Sequence, residues 1–313
     1  MHNCKTFTLY VLSRIREIME KYLTSNLVME SSLIKKSDFL KDNGEFYSSE
    51  VRDGVEICRL KIRDDREKEQ SGIDVGSYTT IYTKPLTSYS ENELDGLSTI
   101  VADELLRLIN ARIERKNGKI DVLVVGLGNR DITSDSLGVG VTDILSVTRH
   151  VAILDKKMFE SGYSSSVSAI SCGVFGKTGI ETLEILRGIV SQISPDVIVA
   201  VDALAAREHT RLASVIQLSD AGIVPGAGIG NRRDELSQQT LSVPVISVGI
   251  PTVVSAATFV CDNLQKCGHT KLDTDMERRL DKLKTLYVTP KDCDALLRVS
   301  THLIARSIEA ALL

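Results

Sequence analysis

Apolar residues along this chain recur with three different spacings, and the order of those spacings predicts the architecture. From Val55 to Ile62 apolar and polar residues alternate, the two-residue period of a half-buried strand. Tyr78–Tyr82 supplies another strand after the charged stretch 63–70, so a small peripheral β unit is expected at about 50–95. Leu97, Ile100, Val101, Leu105, Leu106 and Ile109 then fall at helical spacing and predict an amphipathic helix leading into the core. Beyond it, short Val- and Ile-rich runs at 121–125, 150–154, 167–171, 197–201, 214–217 and 245–248 read as buried strands. They alternate with helical patterns at 137–146, 180–193 and 253–265. That alternation predicts an α/β fold, a doubly wound, mostly parallel sheet flanked by helices, with its core at about 97–265. A helical stripe from Ala295 to Leu313 should pack on the sheet, closing a C-terminal helical region over 271–313. The charged stretch 271–286 reads as a solvent-facing helix or an excursion over the core. Residues 1 to about 50 carry no sheet pattern and form an appendage.

Composition narrows the possible partners. A chain of 313 residues can bury a large core, and a formal charge of −4 with a pI near 5.8 leaves no electrostatic footprint for nucleic acid. The six cysteines lack a CxxC pair, which argues against a zinc knuckle or redox motif and for reduced cytosolic thiols. No stretch reaches the roughly 20 apolar residues that span a bilayer, and the start lacks a cleavable leader pattern. A cytoplasmic chain with no membrane partner is expected.

Two of the apolar runs lead to aspartates. Asp121–Val125 passes through Gly126-Leu127-Gly128-Asn129 to Asp135, and Val197–Val201 stops at Asp202. In parallel sheets working groups collect at the carboxyl ends of the strands, so both aspartates should share one rim. Asp135 also lies among Thr133, Ser134 and Ser136 before an apolar run, where it could instead cap a helix. Asp202 could instead be a solvated strand end or an ion-pair partner of Arg207. Two neighbouring carboxylates at a buried rim have at least one raised pKa, so one can serve as acid and the other as base in hydrolysis. The Gly126-Leu-Gly loop starts like a dinucleotide fingerprint, but Asp131 occupies the third glycine position, which disfavours a Rossmann cofactor. A second loop, Val224–Arg233, carries Gly226, Gly228 and Gly230 at alternate positions and ends in Arg232 and Arg233. Such a loop suits an anion nest or a groove for an extended peptide. The five histidines show no metal spacing, and Cys172 reads as a small buried thiol.

Several blocks together resemble the germination proteases of spore-forming Firmicutes: Gly126–Asn129, Thr133–Gly138, Val147–His150, Asp202–Arg207, Ser219–Arg233 and Val248–Val254. The resemblance implies an endopeptidase that degrades small acid-soluble spore proteins early in germination, located in the forespore or spore core. It implies a homotetrameric zymogen that removes its own propeptide, with a fold like that of the hydrogenase maturation peptidases. It carries catalytic roles to Asp135 and Asp202, and groove or loop support to Gly126, Gly128, Asn129, Arg207, Gly226, Gly228 and Gly230. Propeptides of this family end at an acidic residue followed by an apolar one, which points to Asp38–Phe39. Residues 1–38 would then be extension and propeptide, and 39–313 the α/β peptidase domain. Met29–Glu30 matches a usual family start, with 1–28 either upstream extension or a longer propeptide. No third ligand for nickel is identified, so a metal-free carboxylate pair without cofactor is preferred. A nickel-dependent maturation-type peptidase and a non-catalytic module for acidic ligands around Gly226–Arg233 are the alternatives.

Overall fold

The computed structural model describes residues 21–31, 46–114, 119–226, 233–269 and 272–313. Among them one sheet contains nine strands: β1 (Tyr47–Arg52), β2 (Val55–Ile62), β3 (Gly76–Tyr82), β4 (Ile120–Gly126), β5 (Ser165–Ser171), β6 (Val197–Ala206), β7 (Val215–Ser219), β8 (Val245–Ser255) and β9 (Tyr287–Val288). Their order is β1-β2-β3-β7-β8-β6-β4-β5, and β9 pairs with the last two residues of β8.

The sheet is mixed, which corrects the expectation of a mostly parallel one. Parallel pairing is confined to β5-β4-β6-β8, whereas β1, β2, β3, β7, β8 and β9 are joined antiparallel. The reason is local at one edge. Arg52 pairs with Val55 across Asp53-Gly54, both at positive φ, a two-residue turn that can only reverse the strand. Through β3 and β7 the expected peripheral β unit joins the main sheet as its antiparallel wing.

Alternate residues of the central strands enter two cores. Val122, Val124, Val197 and Val199 face the layer built by the helices Glu91–Arg112 and Cys293–Leu312. Leu123, Val125, Ile198 and Ala200 face Leu183 and Leu186 of the helix Thr182–Ile193. The charged helix Thr274–Leu283 buries only Leu280.

Three strand expectations change, one of them at β8, which was expected at 245–248 and runs on to Ser255, so that the helix expected from 253 starts at Ala256. Residues 149–154 form a helix, with Leu154 81% exposed, because a short apolar run without turn signals fits either structure. The run ending at Val201 continues to Ala206, since Ala203–Ala206 stay paired with Ile250–Val254 of β8. The stretch Leu137–Leu154, long and apolar enough by composition to suggest a membrane span, is divided into the helices Leu137–Ile144 and Arg149–Leu154, each far shorter than a bilayer crossing.

Candidate active site

Asp135 is the last residue of a single 3-10 turn, Thr133–Asp135, and the loop after β4 bends to meet it. Gly128 makes that approach possible. Its φ is +105°, and a Cβ there would lie 1.9 Å from the Asp135 carbonyl oxygen, so any side chain would force the two segments apart. With the space open, the Asn129 amide donates to the Asp135 carbonyl at 3.0 Å and to its Oδ2 at 2.9 Å. Gly126 and Gly138 perform a similar service below. Added Cβ atoms would strike Gly138 O at 2.3 Å and Val201 O at 2.2 Å respectively, so the helix Leu137–Ile144 can press against the tip of β4 and the middle of β6.

Asp202 sits within β6, in register with Gly249 of β8, and is 7% exposed. Strand parity places it on the face of Ile198 and Ala200. Its Oδ1 accepts from the Ala203 amide at 2.9 Å. Two residues on, the register between β6 and β8 shifts: Leu204 pairs with Pro251 and Ala205 with Val253, leaving Thr252 as the extra residue of a bulge. The bulge lets the buried Thr252 Oγ1 donate to Ser134 O at 2.5 Å, tying the Asp135 turn to the strand beside Asp202.

Asp135 and Asp202 line one cavity of about 160 Å³ with Asn26, Leu204, Gly226 and Thr252. Burial pushes the Asp135 carboxyl up to about 6, against a lowering contribution from the Asn129 amide. Burial raises Asp202 further, to about 8, and the Asp135 charge adds to that rise while the Ala203 amide opposes it. The two therefore differ in protonation around neutrality, the condition for an acid and a base in one site. Among the described residues no group of three or more His, Cys, Asp or Glu side chains is placed to hold a metal. His209 instead packs edge-on against Phe259, with ring centroids 5.6 Å apart. Two carboxylates with no imidazole or thiolate grouped with them among the described residues do not make up a nickel set.

A family model described as germination protease matches residues 24–279. A germination protease of Clostridium acetobutylicum is 38% identical over 293 residues, covering 87% of this chain and 89% of the relative. One from Caldanaerobacter subterraneus subsp. tengcongensis is 38% identical over 285 residues, covering 84% and 86%. The chain belongs to the germination protease family. One from Bacillus velezensis is 39% identical over 222 residues, which is 71% of this chain and 59% of that relative.

Within this germination protease family member the loop residues expected from sequence divide into three groups. Gly126, Gly128 and Asn129 shape the turn that holds Asp135, and Gly226 lines the cavity. The Arg207 side chain turns away, donating to Asp262 Oδ1 and Gln265 Oε1 at 2.9 Å each, so it is not the partner of Asp202. Gly228, Gly230, Arg232, Asp38 and Phe39 lie outside the described residues. Arg233 pairs with Glu181 at 3.0 Å and stacks over Phe175, which satisfies its charge within the protein. Asp135 does not cap the following helix, whose N-cap is Ser136. Cys172 is buried in the core with its thiol pushed up to about 11 by desolvation, unsuited to attack. Sequence reasoning missed Asn26 and Thr252. The signal for Thr252 was the Pro251-Thr252 step in a strand-like run, since proline in a strand marks an edge or bulge.

Proposed function

We propose that this chain is an endopeptidase in which Asp135 and Asp202 activate water against a peptide carbonyl. The observation that carries the reading is the pair of desolvated carboxylates in one cavity, held in different environments. Asp135, ionised at neutral pH and steadied by the Asn129 amide, takes a proton from water as the hydroxyl adds to the carbonyl carbon. Asp202, protonated, hands its proton to the departing amine. Desolvation by the cavity walls keeps both pKa values near the working range.

Membership of the family supports germination as the setting and small acid-soluble spore proteins as the substrate, with the forespore or spore core as the compartment. The same reading takes the chain as a self-processing zymogen and a homotetramer. A subunit contact is supported by Ile144, Val147, Ile153, Leu154 and Met158, apolar side chains exposed on consecutive segments. The pairing of Arg233 with Glu181 weakens the alternative of an acidic-ligand module.

The test is digestion of a purified small acid-soluble spore protein by the processed chain. Asp135→Asn and Asp202→Asn should each lower the rate by about 10²–10⁴-fold with the thermal midpoint still cooperative. Wild-type turnover in either variant would overturn the assignment.

A further inference from the structure

One face of the sheet carries a row of side chains that starts at Asp202 and leads away from the aspartate pair. Asp202 is in register with Gly249 of β8, Gly249 with Gln217 of β7, and Gln217 with Thr80 of β3, so all four positions share the face of Ile198 and Ala200. Two strand spacings separate Asp202 from Gln217, roughly 10 Å between Cα atoms. Gly249 leaves the interval between them to Leu204, since a Cβ there would fall 2.6 Å from Leu204 Cγ. Leu204 lines both the cavity of the two aspartates and a second cavity of about 630 Å³, and Asn26, Ile223 and Val224 also line both. The two cavities adjoin, and Gln217 stands with Ser219 and Ser247 in the wall of the larger one.

Gln217 already holds a stretch of main chain. The segment from Tyr22, buried among Ala257, Cys261 and Leu280, to Glu30, which accepts from the Arg207 and Glu208 amides, lies along the end of β6. Within it Gln217 Nε2 donates to the Asn26 carbonyl at 2.9 Å, and Gln217 Oε1 accepts from the Val28 amide at 2.7 Å. Leu27 between them is extended, at φ −80° and ψ 117°. A carbonyl and an amide two residues apart on one extended chain are what a single residue of a parallel strand binds, so the Gln217 side chain stands in for a strand residue. Neither bond reads a side chain. We propose that Gln217 is a substrate-binding residue of this peptidase, whose side-chain amide clamps the main chain of an extended polypeptide within about three residues of the bond that Asp135 and Asp202 address. Asn26 and Val28 leave the clamp to the substrate when their segment is displaced or removed. This rests on the proposed peptidase reading and deepens it, because a grip on carbonyl and amide holds the substrate irrespective of its sequence at those positions.

The test is a double cycle between the side chain and the substrate backbone. Wild-type and variant chains, matched for N-terminus by intact mass, are assayed on a synthetic peptide copied from a bond that mass spectrometry maps in digested small acid-soluble spore protein. Gln217→Met keeps the length and removes both polar groups, so KM should rise about 5- to 30-fold, the worth of one to two ordinary hydrogen bonds, with kcat within about twofold. Peptides N-methylated at one amide at a time on either side of the bond then locate the partner. One such methyl should raise the wild-type KM about fivefold and leave that of Gln217→Met unchanged. Gln217→Glu keeps the acceptor and loses the donor, so its KM should rise while its sensitivity to that methyl is retained; this variant decides the matter if Gln217→Met lacks a cooperative thermal transition. A merely structural Gln217 would leave the effect of every methyl equal in wild type and variant. That equality, or a KM unchanged in Gln217→Met and Gln217→Glu, overturns the inference. Cleavage of the unmodified peptide by the wild type keeps the peptidase reading even then, whereas no cleavage of either peptide or spore protein removes both.

Discussion

A single residue, Asp202, shows how burial tunes chemistry and stability together. Its carboxyl is shifted from an ordinary 3.8 to about 8, by desolvation first and the Asp135 charge second. With Asp135 near 6, the active combination of ionised Asp135 and protonated Asp202 is most populated between those values. The rate kcat/KM should therefore rise through about pH 6 and fall through about pH 8, the two apparent values belonging to the coupled pair. Either Asp→Asn variant should erase the bell. The stability sign follows from the same shift. Between 3.8 and about 8 the folded state holds a proton that the unfolded chain has lost, so the contribution is full below 3.8 and is lost as pH rises through about 8. Asp202→Asn cannot ionise, so at pH 9 it should be more stable than the parent by on the order of a few kcal/mol, with a flatter pH profile in urea titrations. Equal stability of the two proteins at pH 9 would contradict the assigned burial effect.

At the scale of elements, two irregularities carry the site: a left-handed glycine in the loop after β4 and a bulge in β8. Gly128→Ala would place a methyl 1.9 Å from the Asp135 carbonyl oxygen at φ +105°, and the expected outcome is loss of activity with near-native circular dichroism, since the strain falls on the loop and not on the sheet. Thr252→Val keeps the shape but removes the donor to Ser134 O. Its cost should be about 1 kcal/mol in thermal unfolding, with a larger loss in kcat from a loosened Asp135 turn. The glycine was visible in the Gly126-Leu-Gly-Asn129 run, because close approach and positive φ are properties of one residue type. The bulge was not, because it arises from the mismatch between two strands whose pairing the local sequence does not specify.

Across the whole molecule, the antiparallel wing is locked to the core by a buried charge network. Glu104 of the helix Glu91–Arg112 receives Arg59 of β2 through two nitrogens, Arg107 of its own helix at 2.9 Å, and the Thr79 hydroxyl of β3 at 3.1 Å. Burial alone would raise the Glu104 carboxyl, but the bonds from Arg59 and Arg107 overcome it and hold it below the usual 4.5. Its stabilisation is present above 4.5 and is lost as pH falls through the lowered value. Glu104→Ala, leaving Arg59 without its buried partner, should destabilise by about 3 kcal/mol or more in denaturant unfolding. A cost within the error of the measurement would show that the network is solvent-screened. The class of fold was legible because periodicity reports which face of an element is buried, and the two aspartates stood out as charges among β-branched residues. The network, the antiparallel wing and the docking of Tyr22–Glu30 were not legible, since each joins residues tens to hundreds of positions apart through partners that spacing does not reveal. By itself the sequence determined most of the core elements, the glycine-dependent loop and the two carboxylates, all consequences of local sterics and hydrophobic period. Only the tertiary structure decided that β6 runs past Asp202, that the two carboxylates share a desolvated cavity, and that Asn26 lines it with them. Desolvation and strand register depend on what the rest of the chain places alongside.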